Sequence, residues 1–307
     1  MAVHKRGYTP YDGPRTPERW RFWILTRYAL GRAFKSRLLV IFYVLCFIPT
    51  VVTLTAVYIS HHVDLLLTLL PRSVPAGADI VPVNATLFLG MMSFQATLSV
   101  FVTAFIGPGL VSPDLTNNAL PLYFSRPFSR AEYIIGKFAA LFVVLGMVTT
   151  VPMLLIFLMK SVLAGSEWFV QNIHLAFAVT VGTLVWVTLL SLVSMASSAW
   201  LRWRPAAAGM LFALFFFPTG FGQAANLIMR TGWGNLLNGI IVIGTIWNSL
   251  FFINDPDGYQ RAANALNPSF RWMDPIPAWS AWMVVAAVCG ISLLLLDRKI
   301  RAHEVVR

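Results

Sequence analysis

The chain has 307 residues, 58% of them hydrophobic and only 11% charged. Soluble domains carry about 25% charged residues, so a water-soluble globular fold is excluded. The net charge of +11 fits the basic loops that orient membrane proteins and gives no reason to invoke nucleic acid.

Uncharged runs of about 20 residues, enough to cross a bilayer as a helix, recur along the chain. Cys46 and Cys289 both fall inside such runs and read as buried thiols, not as a disulfide framework. Residues 1–37 hold nine Lys or Arg and two acids. Their first part, with Pro10, Gly13, Pro14 and Pro17, reads as a loose tail. From Glu18 to Ser36 the sequence predicts an interfacial helix: tryptophan prefers the headgroup level and arginine snorkels to it. An anionic-lipid site there is compatible with this reading. Leu38–Ser60 is the first predicted span, interrupted by Pro49. A polar loop, 61–84, carries the pair His61-His62, an isolated pair of ligands and so a weak metal site. Asn84-Ala85-Thr86 fits a glycosylation acceptor, a triplet common by chance. Leu87–Ile106 is span two. Its Ser93, Gln95, Thr97, Ser99 and Thr103 must find partners within the bilayer.

The polar interval Gly107–Lys137 separates spans two and three. Ser112-Pro113-Asp114 reads as a helix opening: an N-cap serine, a proline at the first helical position and an acid in the first turn. Pro121 is expected to end that helix, since it lacks an N–H. Arg126-Pro127 imposes an extended residue and a turn. Ser129-Arg130-Ala131-Glu132 has capping-box spacing and opens the next helix.

On Gly107, Gly109, Asp114, Leu122, Ser125, Pro127, Ser129, Arg130, Gly136 and Lys137, this interval resembles the loop between spans two and three of type-2 ABC (ATP-binding cassette) exporter permeases. The chain departs from the family's Glu-rich helix with a Gly-Thr step, having Asp114 followed by Thr116, Asn117 and Asn118. The resemblance implies a coupling helix over Pro113–Leu120 that touches a separate ATPase. Asp114 would complement the helix N-terminus or meet a basic residue of the partner. Pro113, Leu115, Thr116, Asn117, Leu120, Tyr123 and Phe124 complete that contact set. Arg126 and Arg130 flank it and are equally suited to lipid headgroups.

Ile134–Leu158 is span three and Leu175–Leu201 span four. In span four Thr180, Thr183, Ser191, Ser194 and Ser198 share a narrow arc at 100° per residue. Such a stripe either glues packed helices together or lines a solute path. Arg202-Trp203-Arg204-Pro205 is a tight basic turn, and Ala206–Ile228 is span five. Leu236–Ile253 is apolar enough to span, but a seventh crossing would put the basic C-terminus outside. It is read as re-entrant or interfacial, as in the resembled family, with Gly234, Gly239 and Gly244 easing a bend. Residues 254–277 are polar and proline-rich, and Ala278–Leu296 is span six. With six spans, 18 basic residues fall on one side and 5 on the other. Both termini are therefore expected in the cytoplasm, of a bacterial cell in the simplest case.

No phosphate-binding Gly-rich loop, His-Glu-x-x-His, Cys-x-x-Cys or Gly-x-Ser-x-Gly occurs, so nothing points to an enzyme. All 12 acids lie outside the predicted membrane cores, where proton- or sodium-driven carriers keep a carboxylate. The expected fold is an all-α polytopic membrane protein. It has six transmembrane helices, an N-terminal interfacial helix and a re-entrant helix between spans five and six. The expected organisation is a tail and interfacial helix (1–37), one transmembrane domain (38–296) and a tail (297–307). The expected function is that of an exporter permease subunit. It would work with ABC ATPase subunits that bind the ATP, a second permease chain (identical or related) and membrane lipids. No cofactor is expected on this chain. An ATP-independent channel, scaffold or intramembrane enzyme is the alternative.

Overall fold

A computed structural model describes residues 20–62, 82–125, 128–201, 203–253 and 276–304. The expected N-terminal tail, most of the 61–84 loop, the Arg126-Pro127 turn, Arg202 and the proline-rich 254–275 stretch lie outside the described residues. What is described is helix and connecting loop, with six helices long and apolar enough to cross a membrane. Span one is Arg37–Leu45 with Ile48–His61, and span two is Ala85–Ile106. Span three is Arg130–Ala164, span four Ser166–Trp200, span five Arg204–Met229 and span six Ala278–Glu304. Most hydropathy-read bounds fall inside these helices, which run on past the apolar stretches into polar flanks.

Spans three and four form the centre and are the most buried of the six. Each has 35 residues, so each is about 52 Å long, well beyond the roughly 30 Å hydrocarbon thickness. Their charged residues and histidine lie toward the ends, where the excess length emerges: Arg130, Glu132 and Lys137 at one, Lys160, Glu167 and His174 at the other. Span three begins with the predicted capping box. Ser129 N–H donates to Glu132 Oε2 at 2.6 Å, and Glu132 N–H donates to Ser129 Oγ at 3.2 Å. Gly165 reverses the chain into span four at φ 91° and ψ 175°, a backbone region essentially confined to glycine.

Span one is broken at Cys46–Phe47, with Pro49 in the first turn of its second half. One amide bridges the break. Gln95 Nε2 on span two donates to the Cys46 carbonyl at 3.2 Å and to Thr50 Oγ1 at 3.1 Å. Ser99 accepts from Trp186 Nε1 at 2.8 Å and donates to the Ala96 carbonyl. Within the polar set of span two, Gln95 and Ser99 thus reach other spans, while Ser93, Thr97 and Thr103 donate to carbonyls of their own helix, the alternative that low-dielectric surroundings leave them. Asn84, at the possible glycosylation triplet, serves as the N-cap of span two: its Oδ1 accepts from Leu87 N–H at 3.0 Å.

The segment after span five is re-entrant. Its helix, Gly239–Leu250, has 12 residues, about 18 Å of rise, too short to cross. A 3-10 turn over Trp233–Leu237 precedes it. Gly222 and Gly234 bring that turn onto span five, and a Cβ on either would collide with the other's carbonyl oxygen. Asn226 fixes the turn by donating to Asn235 Oδ1 at 2.9 Å and accepting from Gly234 N–H at 2.7 Å. Asn238 caps the re-entrant helix through Ile240 N–H and Ile241 N–H. Gly239 lies against the Phe215 ring, while Phe251 stacks on Phe88 at 6.4 Å. The helix therefore starts deep, beside the middle of span five, and climbs back to the level where span two begins. Trp247 Nε1 donates to the Gly182 carbonyl at 3.0 Å and locks it to span four.

The interfacial helix is Arg21–Ala33. Leu25, Thr26 and Ala29 are buried, while Trp20, Trp23, Ile24 and Tyr28 are exposed. Thr26 Oγ1 donates to the Gly136 carbonyl at 2.9 Å. A Cβ on Gly136 would lie 2.8 Å from the Phe22 carbonyl oxygen, so this helix meets span three closely at a position without a side chain.

Candidate loop site between spans two and three

The loop forms two short helices, Ser112–Thr116 and Leu120–Phe124, where one over Pro113–Leu120 is expected from the sequence. Asn118, at φ 48°, separates them. Pro121 does not end a helix. It sits in the first turn of the second one, where a missing N–H costs nothing because that turn has no acceptor for it. Ser112 is likewise not the N-cap. Val111 takes that position, and Ser112 is the first helical residue.

Asp114 points into the protein. Its Oδ2 lies 2.7 Å from Lys137 Nζ and accepts from Tyr133 Oη at 2.9 Å. Asp114 is 7% exposed, Lys137 4% and Tyr133 0%. The basic residue that Asp114 meets belongs to span three of its own chain, so its carboxylate is engaged before any partner arrives. Lys137 and Tyr133 are one turn apart on span three, so a single face of that helix supplies both groups. The pairing had a signal in the sequence. A lysine seven residues inside a long apolar helix needs an anion, and Asp114 is the acid of the adjoining loop.

Span four holds the other side of the loop. Ser198 Oγ accepts from Ser112 N–H at 3.0 Å and from Val111 N–H at 3.3 Å, and donates to the Pro108 carbonyl at 3.2 Å. A serine from a distant helix thus serves the orphan N–H groups that an N-cap would otherwise take. Leu115 is buried and Leu120 fully so. Both belong to the core and are not surface anchors. Tyr123 and Phe124 are half-buried, with rings 5.8 and 6.4 Å from that of Tyr133. Burial, with added charge from Asp114 and Tyr28, raises the Tyr123 phenol above its ordinary value, so it stays protonated. The second loop helix also packs on span six, and Arg130 reaches Asp297 there at 4.0 Å. What the loop offers outward is Thr116, Asn117, Asn118, Pro121 and Leu122, with Pro113 partly covered. Leu122 is 71% exposed.

No family model and no curated protein matches the chain.

The hydroxyl stripe of span four is divided. Thr183 Oγ1 accepts from Thr150 Oγ1 of span three at 2.9 Å. Ser194 packs where Gly107 of the loop comes closest. Ser191 is fully buried and has no hydrogen-bond partner among the described residues. Thr180 donates to the Ala176 carbonyl of its own helix. Four of the five residues are buried, and Thr180 is half-buried.

Two cavities flank the re-entrant helix. One, of about 550 Å³, lies between it and spans two and five, with Ser93, Thr97, Phe101, Trp186, Phe212 and Trp247 in its wall. The other, of about 510 Å³, lies between spans four, five and six. Both contact Phe215 and Ile243.

Proposed function

We propose that this polytopic membrane protein is the permease subunit of an ATP-binding-cassette exporter, and that its paired loop helices take up the stroke of a separate ATPase. The observation that carries this reading is how the loop is held. The Asp114–Lys137–Tyr133 cluster ties it to span three, Ser198 ties it to span four, and its second helix lies on span six. Helices of five residues are far below the length stable alone in water, so the loop owes its shape to these ties. A push on its outward tip moves three spans together and is not absorbed locally. That is the mechanical property a coupling element needs, and it joins the loop residues that resemble type-2 exporter permeases.

In this reading ATP stays on the partner, a second permease chain completes the path, and the contact surface is Thr116–Asn118 with Pro121 and Leu122. Asp114, Leu115 and Leu120 shape that surface from beneath. The hydroxyl stripe of span four acts as packing glue, which its interhelical bonds at Thr183 and Ser198 support. The test is affinity purification of the full chain from its native membrane in mild detergent. An ATPase subunit is expected in the wild-type eluate and depleted from Leu122→Glu. A wild-type eluate without any ATPase overturns the proposal.

A further inference from the structure

The interfacial helix presents an outward arc with two different ends. At 100° per residue the arc runs from Trp23 and Phe34, through Arg27, Trp20 and Ile24, to Tyr28 and Arg32. All seven are exposed. Phe34 meets Tyr43 of span one edge-on at 5.3 Å, so that end of the arc adjoins a membrane span. Tyr28 and Arg32 lie close enough to Tyr123 to act on its phenol, so the other end adjoins the polar loop. Aromatic and aliphatic side chains toward the bilayer, with arginine toward water, are the pattern of a helix lying in the headgroup layer.

The cations of this helix and of the turn after it have no anion to meet. Arg27, Arg32, Lys35 and Arg37 are exposed and make no ion pair among the described residues. The acids described at this end of the bundle are already engaged. Asp114 is held by Lys137, and Asp297 by Arg301 and Arg130. Glu132 accepts from Ser129 and has Arg21 nearby. Arg37 also opens span one, whose first N–H groups add partial positive charge at the same place.

We infer that this cluster is a binding site for anionic phospholipid headgroups, with Arg27, Arg32, Lys35 and Arg37 facing the phosphates and Trp20, Trp23 and Ile24 seated among the upper acyl chains. A cluster of this size on an amphipathic helix suits an anionic headgroup, since each cation adds attraction to the leaflet surface. The apolar part of the arc selects a lipid over a free anion. The site needs no ATPase and stands independently of the permease reading.

The test uses the full chain in nanodiscs holding phosphatidylcholine and phosphatidylglycerol in equal parts. Lipids that stay with the protein on transfer to detergent are counted by native mass spectrometry. Phosphatidylglycerol is expected in preference. Arg27→Gln should lower that preference about fivefold, the size of one basic residue's attraction to anionic headgroups. Arg27→Gln, Arg32→Gln, Lys35→Gln and Arg37→Gln combined should abolish it. Arg230→Gln removes an exposed cation at the end of span five and should leave it unchanged. Because the combined variant carries a folding risk, a second measurement uses the wild type alone: phosphatidylglycerol with a diazirine on its headgroup. Crosslinks are expected between Trp23 and Arg37. They should vanish at about 1 M salt, where charges are screened within about 3 Å, and survive added inorganic phosphate at constant ionic strength. Equal retention of the two lipids, an unchanged preference in the combined variant, an equal loss in Arg230→Gln, or crosslinks spread evenly over the protein would each overturn the inference. Displacement by inorganic phosphate would make this a free-anion site and overturn the lipid assignment.

Discussion

Asp114 of the loop and Lys137 of span three meet at 2.7 Å, and both are almost wholly removed from solvent. A buried pair of this kind is weak evidence for net stability, since both charges were desolvated to form it. Its consequence lies in what happens when one partner is lost. Asp114→Ala leaves an ammonium buried without an anion, and destabilisation by about 3–5 kcal/mol is expected. Asp114→Leu combined with Lys137→Met removes both charges and should recover most of that loss. Unfolding in detergent, followed as a function of added dodecyl sulfate, reads both variants. If the double variant is no more stable than the single one, the pair is not what orients the loop.

Ser198 gives a second, smaller anchor. Losing an N-cap contact costs about 0.5–2 kcal/mol, and Ser198→Ala removes the acceptor for both Ser112 N–H and Val111 N–H. Thr180→Ala removes only a bond to its own helix and should be close to silent. The stripe is therefore expected to respond unevenly to alanine substitution in the same unfolding assay. A uniform loss along all five positions would contradict this division while keeping the stripe as packing, and an altered transport profile at unchanged stability would instead favour a solute path.

The spans were legible in the sequence because hydropathy and length suffice for a helix that must satisfy its backbone in lipid. The re-entrant helix was legible for a subtler reason. A seventh crossing would have placed the basic tail on the wrong side, and Gly234 and Gly239 supply the close approaches the bend requires. The loop was only half legible. Local rules gave the helix opening at Ser112-Pro113 and the capping box at Ser129. They misplaced Pro121, because the same proline that ends one helix can begin the next. They also aimed Asp114, Leu115 and Leu120 outward, since their burial depends on Lys137, Tyr133 and span six, which no window of neighbouring residues contains. Ser198, among the span-four hydroxyls, belonged to a stripe on periodicity alone. Its part in the loop appears only when span four is laid against it.

Gly136 should be intolerant of a side chain. A Cβ there meets the Phe22 carbonyl oxygen and Leu25, and a backbone oxygen cannot swing aside as a side chain can. Gly136→Val is expected to lift the interfacial helix from span three. In a background without Cys46 and Cys289, Leu25→Cys is buried and should resist maleimide until Gly136→Val is added. Tyr28→Cys, on the exposed face, should label in both backgrounds. Continued protection of Leu25→Cys would mean that the helix docks elsewhere.

The side of the membrane on which the loop lies is open to a direct measurement. In the same cysteine-free background, His61→Cys lies at one end of span one and Thr116→Cys lies beyond the far end of span two. An impermeant maleimide applied to intact cells should reach His61→Cys and spare Thr116→Cys until the membrane is permeabilised. The reverse pattern would put the loop outside and remove any role in meeting a cytoplasmic ATPase.

The loop tip separates a contact role from a structural one. Leu122 is 71% exposed on a helix whose other apolar members, Leu120, Tyr123 and Phe124, turn inward. Apolar side chains that stand outward at a well-anchored position are the kind that dominate binding energy. Leu122→Glu leaves the Asp114–Lys137 pair, the Ser198 bonds and the core untouched. Its stability should therefore stay within about 0.5 kcal/mol of wild type, as for other surface changes, while ATPase retention falls. Asp114→Ala, by contrast, should lower stability and retention together. In the reconstituted complex, Leu122→Glu is expected to keep ATP hydrolysis but lose its stimulation by the membrane subunit. If Leu122→Glu unfolds the protein, the residue belongs to the packing. If it changes neither stability nor retention, the contact lies elsewhere, and the assignment of the loop tip fails even where the anchors hold.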